Sequence, residues 1–188
     1  MPDLRCEPHT LSQSPLVTAG AELRALAVAK VRVQVLRPRG CDRPAADPAM
    51  LPQVPNTAIG SDPCALWGGP DDWIVYSQNL DGNALHHWVS EIATDAPLVA
   101  TDVSGATSVL ELRGMRAVYI LMRDCTLDLD GDAVPLRGCA QTLLAQTTVL
   151  IHRSAQDTWR VFVERSAASH VWDWLVDTAG PPPSLERA

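Results

Sequence analysis

The chain of 188 residues is poor in several things. It has one phenylalanine, two tyrosines and a single lysine, Lys30; arginine supplies the rest of its 15 basic side chains, a bias that reads as GC-rich coding. No apolar run approaches the roughly 20 residues needed to span a bilayer. The stretch Met1 to Gly20 is polar and carries Asp3 and Glu7. It lacks the basic start and apolar run of a secretory signal. The five cysteines are odd in number, scattered and free of any CxxC pair. That pattern argues against a zinc site and against a disulfide framework, and leaves free thiols in a reducing cytoplasm as the expectation. There is no GxSxG elbow, no GxGxxG turn and no phosphate-binding GxxxxGK[ST] loop. The net charge of −7 argues against a nucleic-acid binder, which presents a basic face.

What is present has globular composition, with 46% hydrophobic and 20% charged residues. The length suits one domain with a real core plus tails. We read residues 1–24 as an N-terminal arm, 25–178 as the domain and 179–188 as a loose tail after Pro181 to Pro183. Leu26 to Leu36 alternates apolar and polar residues from Val28 on, which predicts one half-buried strand. Five prolines over 37–56 predict a long irregular connection, with room for a helical turn near Ala45–Leu51. Short strands are expected at Thr57–Gly60, Cys64–Trp67 and Trp73–Ser77, with a turn at Gly68, Gly69 and Pro70.

Leu85, Trp88, Val89 and Ile92 recur at spacings of three and four, which predicts an amphipathic helix over Leu80–Ala93 capped by Asp81. Two more strands follow, Leu98–Val103 and Ser108–Leu112, the second buried on both sides over part of its length. A helix over Gly114–Cys125 would present Met115, Val118, Leu121 and Met122 to the core. Gln141–His152 and Thr158–Arg165 read as two long strands joined at Ser154–Asp157. Trp159, Val161 and Val163 share one face of the latter, and Arg160, Phe162 and Glu164 the other. A last helix spans Ala167–Thr178. Strands mixed with three helices give an α+β class.

Candidate chemistry is thin. Aligned on a calcium loop, Asp128, Asp130 and Gly131 fall at positions 3, 5 and 6, but Arg137 stands where a bidentate glutamate belongs, so the stretch reads as a solvated turn. His86 and His87 are adjacent and diverge by about 100° on a helix, so they cannot chelate one metal together. His152 and His170 lie at element ends and read as surface or core histidines. Asp71 and Asp72 share a turn, where carboxylates diverge or cap amides. Asp102 closes a strand, where ligands meet side chains; its alternatives are a ligand-pocket acid or a turn residue accepting from the Gly105 or Ala106 amide. Cys139 has no legible charge partner and reads as a structural thiol. The six tryptophans are the remaining signal. Trp172 and Trp174 are about 200° apart on one helix, so one of them is expected outside the core. It would lie either at a partner interface or on the amphipathic rim. Trp67, Trp73, Trp172 and Trp174 are the candidate interface residues.

Three signatures stand in fixed order: Trp67-Gly-Gly-Pro-Asp-Asp-Trp-Ile-Val-Tyr76, Thr101-Asp-Val-Ser-Gly-Ala-Thr-Ser-Val-Leu-Glu-Leu-Arg-Gly114, and Gly138-Cys-Ala-Gln-Thr-Leu-Leu-Ala145. With Asp124-Cys-Thr-Leu-Asp-Leu and the ending Val163-Glu-Arg-Ser-Ala-Ala-Ser-His-Val-Trp-Asp-Trp-Leu, they resemble the gamma subunit family of heterotetrameric sarcosine oxidase. The resemblance covers roughly Pro55 to Val176. It implies a fold like the folate-binding domain of the glycine-cleavage aminomethyltransferase, with ferredoxin-like βαβ pieces. It also implies membership of an alpha–beta–gamma–delta flavoenzyme that oxidatively demethylates sarcosine or a related N-methyl amine. FAD, FMN, NAD and tetrahydrofolate are then expected in the partner subunits, and no catalytic, cofactor-binding or metal residue carries over to this chain. The rival expectation is a stand-alone folate-binding, aminomethyltransferase-like protein with Asp102 in its pocket. Such proteins usually carry further domains, and this sequence stops after one.

Overall fold

The computed structural model describes residues 20–35, 50–92, 98–129 and 133–179. Most of the arm expected over 1–24, much of the proline-rich stretch over 37–56, residues 130–132 of the acidic turn and the tail from 180 lie outside the described residues. Among the described residues, ten strands form two five-stranded sheets in which every neighbouring pair is antiparallel. The first sheet runs β1 (Glu22–Leu26), β7 (Thr107–Arg113), β10 (Thr158–Glu164), β9 (Thr147–Ala155), β8 (Cys139–Leu144). The second runs β3 (Ala58–Gly60), β4 (Cys64–Gly69), β5 (Asp72–Ser77), β2 (Ala29–Val35), β6 (Leu98–Asp102). Three α-helices complete the fold: α1 (Gly82–Glu91), α2 (Ala117–Leu121) and α3 (Ala168–Thr178), the last preceded by a 3₁₀ turn at Arg165–Ala167.

Strand alternation makes four layers of this. Leu110, Leu112, Val149, Ile151, Trp159 and Val161 project from the first sheet toward α2 and α3 and pack on Ala117, Ile120, Val171 and Leu175. Val31, Val33, Trp73 and Val75 project from the second sheet onto Leu85 and Val89 of α1. The inner faces meet at a seam of Val28, Cys64, Leu66, Tyr76, Val109, Cys139, Leu150 and Phe162. The central strands of the first sheet thus have two buried faces, which is why Val109, Leu110 and Leu112 of β7 fail to alternate in polarity. The mixed, mostly stranded fold is the α+β class expected. Strands β5 and β6 both run antiparallel to β2, which lies between them, and α1 makes the connection. That is a split βαβ unit of the ferredoxin-like kind. Asp81 caps α1 as expected: its Oδ1 accepts from the Ala84 amide at 2.8 Å.

Four elements differ from the sequence expectation. The strand expected over Leu26–Leu36 is β2, which starts only at Ala29; Leu26 instead ends β1, which pairs with β7 in one sheet, and after Ala27 and Val28 the chain crosses to pair as β2 in the other. β1 begins at Glu22, inside the stretch read as an arm. The long strand over Gln141–His152 is a hairpin, with β8 turning into β9 through Ala145 (φ 50°) and Gln146 (φ 59°). This is the left-handed two-residue turn that glycine and asparagine normally announce. Here neither occurs, and His170 Nε2 steadies the turn at 3.0 Å from the Ala145 carbonyl. The helix over Gly114–Cys125 shrinks to the five residues of α2, with Met115 outside it and 80% exposed. Gly114 sits at φ +121°, tied by its amide to the Asp157 carbonyl at 2.9 Å, and no side chain caps the helix start. The Ser154–Asp157 connection is a hairpin as expected, joining β9 and β10.

Candidate functional site

Strand register places five chemistry-bearing side chains in one row across the inner face of the first sheet: Arg24, Glu111, Arg160, His152 and Cys139 are successive cross-strand neighbours. A row on the second sheet faces it, in which Lys30, Tyr76 and Cys64 are neighbours. The seam closes over both. Glu111 has no exposed surface, and Tyr76, Lys30, His152 and Arg160 are buried. A buried carboxylate demands cations. Glu111 receives Arg24 Nε at 2.8 Å and Nη2 at 2.6 Å, Arg113 Nε at 2.8 Å and Arg160 Nε at 2.9 Å. Burial by itself would raise the Glu111 carboxyl; the hydrogen bonds from Arg160 and Arg24 reverse this and hold it below the usual range.

Arg160 reaches on across the seam, where its Nη1 donates to the Tyr76 hydroxyl at 2.5 Å. The guanidinium has donors only, so the hydroxyl accepts from it and its own proton is free for His152 Nδ1, 3.1 Å away. His152 is neutral. Burial, helped by the Arg160 charge, lowers its pKa to about 3. Burial pushes the Cys64 thiol up to about 11 and the Cys139 thiol up to about 12. Cys139 donates Sγ to the Thr57 carbonyl at 3.2 Å. Neither thiol is a nucleophile in this state, and the structural reading of Cys139 holds. Burial also lowers Lys30, against the pull of Asp102, and its Nζ donates to the Val28 carbonyl at 3.0 Å. The network is a clamp between two sheets with its polar groups spent on one another. Sequence reading placed Arg160 and His152 on strands but not in a common row, and it did not single out Glu111; a lone acidic residue within the apolar run of β7 was the available signal.

The acids singled out from sequence do other work. Asp102 is exposed, and its Oδ1 accepts from the Ser104 amide at 2.8 Å, a turn role one residue earlier than the Gly105 or Ala106 amide expected. Hydrogen bonding to Ser104, through its side chain first and its amide second, depresses the Asp102 pKa. Asp72 is paired with Arg32, with Nη2 to Oδ2 at 2.5 Å, while Asp71 takes the left-handed turn position at φ 58°. A cleft of about 480 Å³ opens where the two sheets diverge, lined by Arg32, Ile74, Val103, Ala106, Thr107 and Glu164 among others. Asp102 stands beside it with its carboxylate turned to its own turn. Among the described residues no group of three or more His, Cys, Asp or Glu side chains could hold a metal ion, and His86 and His87 are exposed on α1.

The tryptophans separate into core and margin. Trp73 is 2% exposed, and its indole Nε1 donates to the Pro52 carbonyl at 2.7 Å, so it belongs to the core and not to a surface. Trp67 is half-buried against the seam. Trp172 and Trp174 are both half-buried and both packed on the outer core, where one of the two was expected outside. Val171 and Leu175 form the buried line of α3, and the two indoles flank it on either side at about 80° each. The large apolar groups most exposed nearby are Met115 and Tyr119, at 80% and 55%. They stand at i and i+4 around the start of α2, next to Val118 and Met122.

A family model described as sarcosine oxidase, gamma subunit family, matches residues 45–180. Two similar proteins are both named sarcosine oxidase subunit gamma. The one from Corynebacterium sp. (strain P-1) is 31% identical over 129 residues, which is 68% of this chain and 63% of that protein. The one from Corynebacterium sp. (strain U-96) is 29% identical over 138 residues, 73% of this chain and 63% of that protein. The chain thus spans under two thirds of the length of the relatives it matches. Its fold is similar to a chain of the heterotetrameric sarcosine oxidase from Corynebacterium sp. U-96 in complex with pyrrole 2-carboxylate, with a TM-score of 0.72 at 22% identity, covering 90% of this chain and 95% of that one. It is also similar in fold to the glycine cleavage system aminomethyltransferase T from Bartonella henselae, with a TM-score of 0.55 at 14% identity, covering 89% of this chain and 50% of that one. With the family model matched over most of its length, the chain belongs to the sarcosine oxidase gamma subunit family.

Proposed function

We propose that this chain is the gamma subunit of a heterotetrameric, sarcosine oxidase-type flavoenzyme and that its work there is assembly. In this reading the complex converts sarcosine, water and oxygen to glycine, formaldehyde and hydrogen peroxide, or passes the methyl carbon to tetrahydrofolate. A related N-methyl amine is the alternative substrate. The partners are alpha, beta and delta subunits, which carry FAD, FMN, NAD and the folate site, and the complex works in the cytoplasm. The observation that carries the reading is the family match over residues 45–180. The structure supports an assembly role in two ways. The strongest titratable cluster, Glu111, Arg160, Tyr76 and His152, is closed inside the seam, where no substrate can reach it. The apolar side chains Met115 and Tyr119 face outward, and methionine and aromatic residues are the ones that subunit interfaces favour. Among the described residues no helix is long and apolar enough to cross a membrane.

The test is purification of the tagged chain from its own host under native conditions. Co-elution with two large subunits and a small one, in a species with flavin absorption, is the expected result. A colourless single chain that binds folate would sink the reading in favour of the stand-alone protein.

A further inference from the structure

The clamp around Glu111 is unbalanced. Three guanidiniums, those of Arg24, Arg113 and Arg160, surround one carboxylate. Arg160 is buried and spends its remaining reach on Tyr76. Arg24 and Arg113 are not: their side chains are 42% and 47% exposed on the β1 edge of the first sheet. Each guanidinium has five N–H donors. Arg24 gives two to Glu111, and Arg113 contacts it through Nε; among the described residues no other ion pair takes the outward donors of either. Glu22 lies opposite Arg113 in the register, yet among the described residues no ion pair joins them. The result is a positive rim on a chain of net charge −7.

We propose that Arg24 and Arg113 form a docking point for a carboxylate side chain of a partner subunit, an inference that rests on the assembly role proposed above. Two features favour a carboxylate. Planar guanidinium forks match carboxylates in pairs of hydrogen bonds. Glu111 also holds Arg24 and Arg113 from behind, so both side chains have lost much of their rotamer freedom before a partner arrives, which reduces the ordering cost of binding. The net charge left on the rim attracts an acidic group and opposes a basic one.

The test compares wild-type chain with Arg113→Gln in binding to the remaining subunits of the complex, over a range of salt concentrations. Arg24 and Arg160 still hold Glu111 in this variant, and its thermal unfolding alone checks that it folds. The expected result is binding weakened about tenfold, with a shallower salt dependence, partly restored in Arg113→Lys. Equal affinity and equal salt slope for the two chains would overturn the docking point while leaving the assembly role standing. So would weaker binding with an unchanged salt slope, since shape and not charge would then be lost. Stabilisation of the isolated chain by inorganic phosphate that Arg113→Gln abolishes, with assembly unaffected, would mark a small-anion site and overturn the proposal. A wild-type chain that joins no other subunit overturns the assembly role and the docking point together.

Discussion

Arg160 and His152 are cross-strand neighbours that share the hydroxyl of Tyr76, a residue of the opposite sheet: Arg160 Nη1 is 2.5 Å from it and His152 Nδ1 is 3.1 Å. The cation and the imidazole are compatible only while the imidazole is neutral. Unfolded, His152 takes up a proton near pH 6.5. Folded, burial and Arg160 delay this until about pH 3. Between those values the unfolded chain binds more protons, so stability falls as the pH drops from about 6.5 toward 3, by on the order of 1 kcal/mol per pH unit. Glu111, held low in the folded state, adds to the loss at the acid end. Urea unfolding at pH 7, 6 and 5 measures this, and His152→Gln, which keeps a neutral acceptor for Tyr76, should flatten the slope over that interval. A variant as pH-sensitive as wild type would remove His152 from the account.

Glu111→Ala leaves the buried guanidinium of Arg160, with the half-exposed ones of Arg24 and Arg113 beside it, without their carboxylate. Breaking a buried pair from one side costs about 3–5 kcal/mol. The urea midpoint at pH 7 should fall accordingly, and a change under about 1 kcal/mol would show that water already compensates the cluster.

Gly114 tests how β1 is held. A Cβ there would stand 2.3 Å from the Gly20 carbonyl oxygen, at a φ of +121° that side chains avoid. The neighbour is backbone and cannot turn aside. Gly114→Ala should destabilise the chain by about 2 kcal/mol or more, with early amide exchange over β1. Unchanged protection of Glu22–Leu26 would contradict the close approach.

Met115→Ser combined with Tyr119→Ser removes exposed apolar surface and leaves the core alone. The melting of the isolated chain should change by no more than about 0.5 kcal/mol in stability, while co-purification with the larger subunits weakens. If assembly is as strong as wild type, the outward face of α2 is not where partners bind.

Asp102→Ala removes an acceptor for Ser104 and a charge that bears on the buried Lys30. Turnover of the assembled, flavin-loaded complex should be preserved. Lost turnover in an intact complex would return Asp102 to the chemistry.

The fold class, the capped helix α1, the β9–β10 hairpin and the two-faced burial of β7 were legible because each follows from periodicity or a cap. The splits were not. β1 lay inside the stretch read as an arm, and nothing at Ala27 and Val28 marks where the chain leaves one sheet for the other. Ala145 and Gln146 turn a strand back without a glycine. The clamp was hidden for a related reason: Arg24, Glu111, Arg160 and His152 come from four strands distant in sequence, and only register puts them in a row. Trp73 shows the opposite error, because an indole whose N–H finds a carbonyl within the chain needs no partner outside it.

Lys30, the single lysine, is 3% exposed, with its amine directed at the Val28 carbonyl. The folded surface therefore presents no side-chain primary amine. An aldehyde meeting this protein finds no exposed side-chain amine with which to form an imine, and an amine-directed label finds only the amino terminus. In the proposed complex, which releases formaldehyde, such a surface would form no lysine imines through many turnovers.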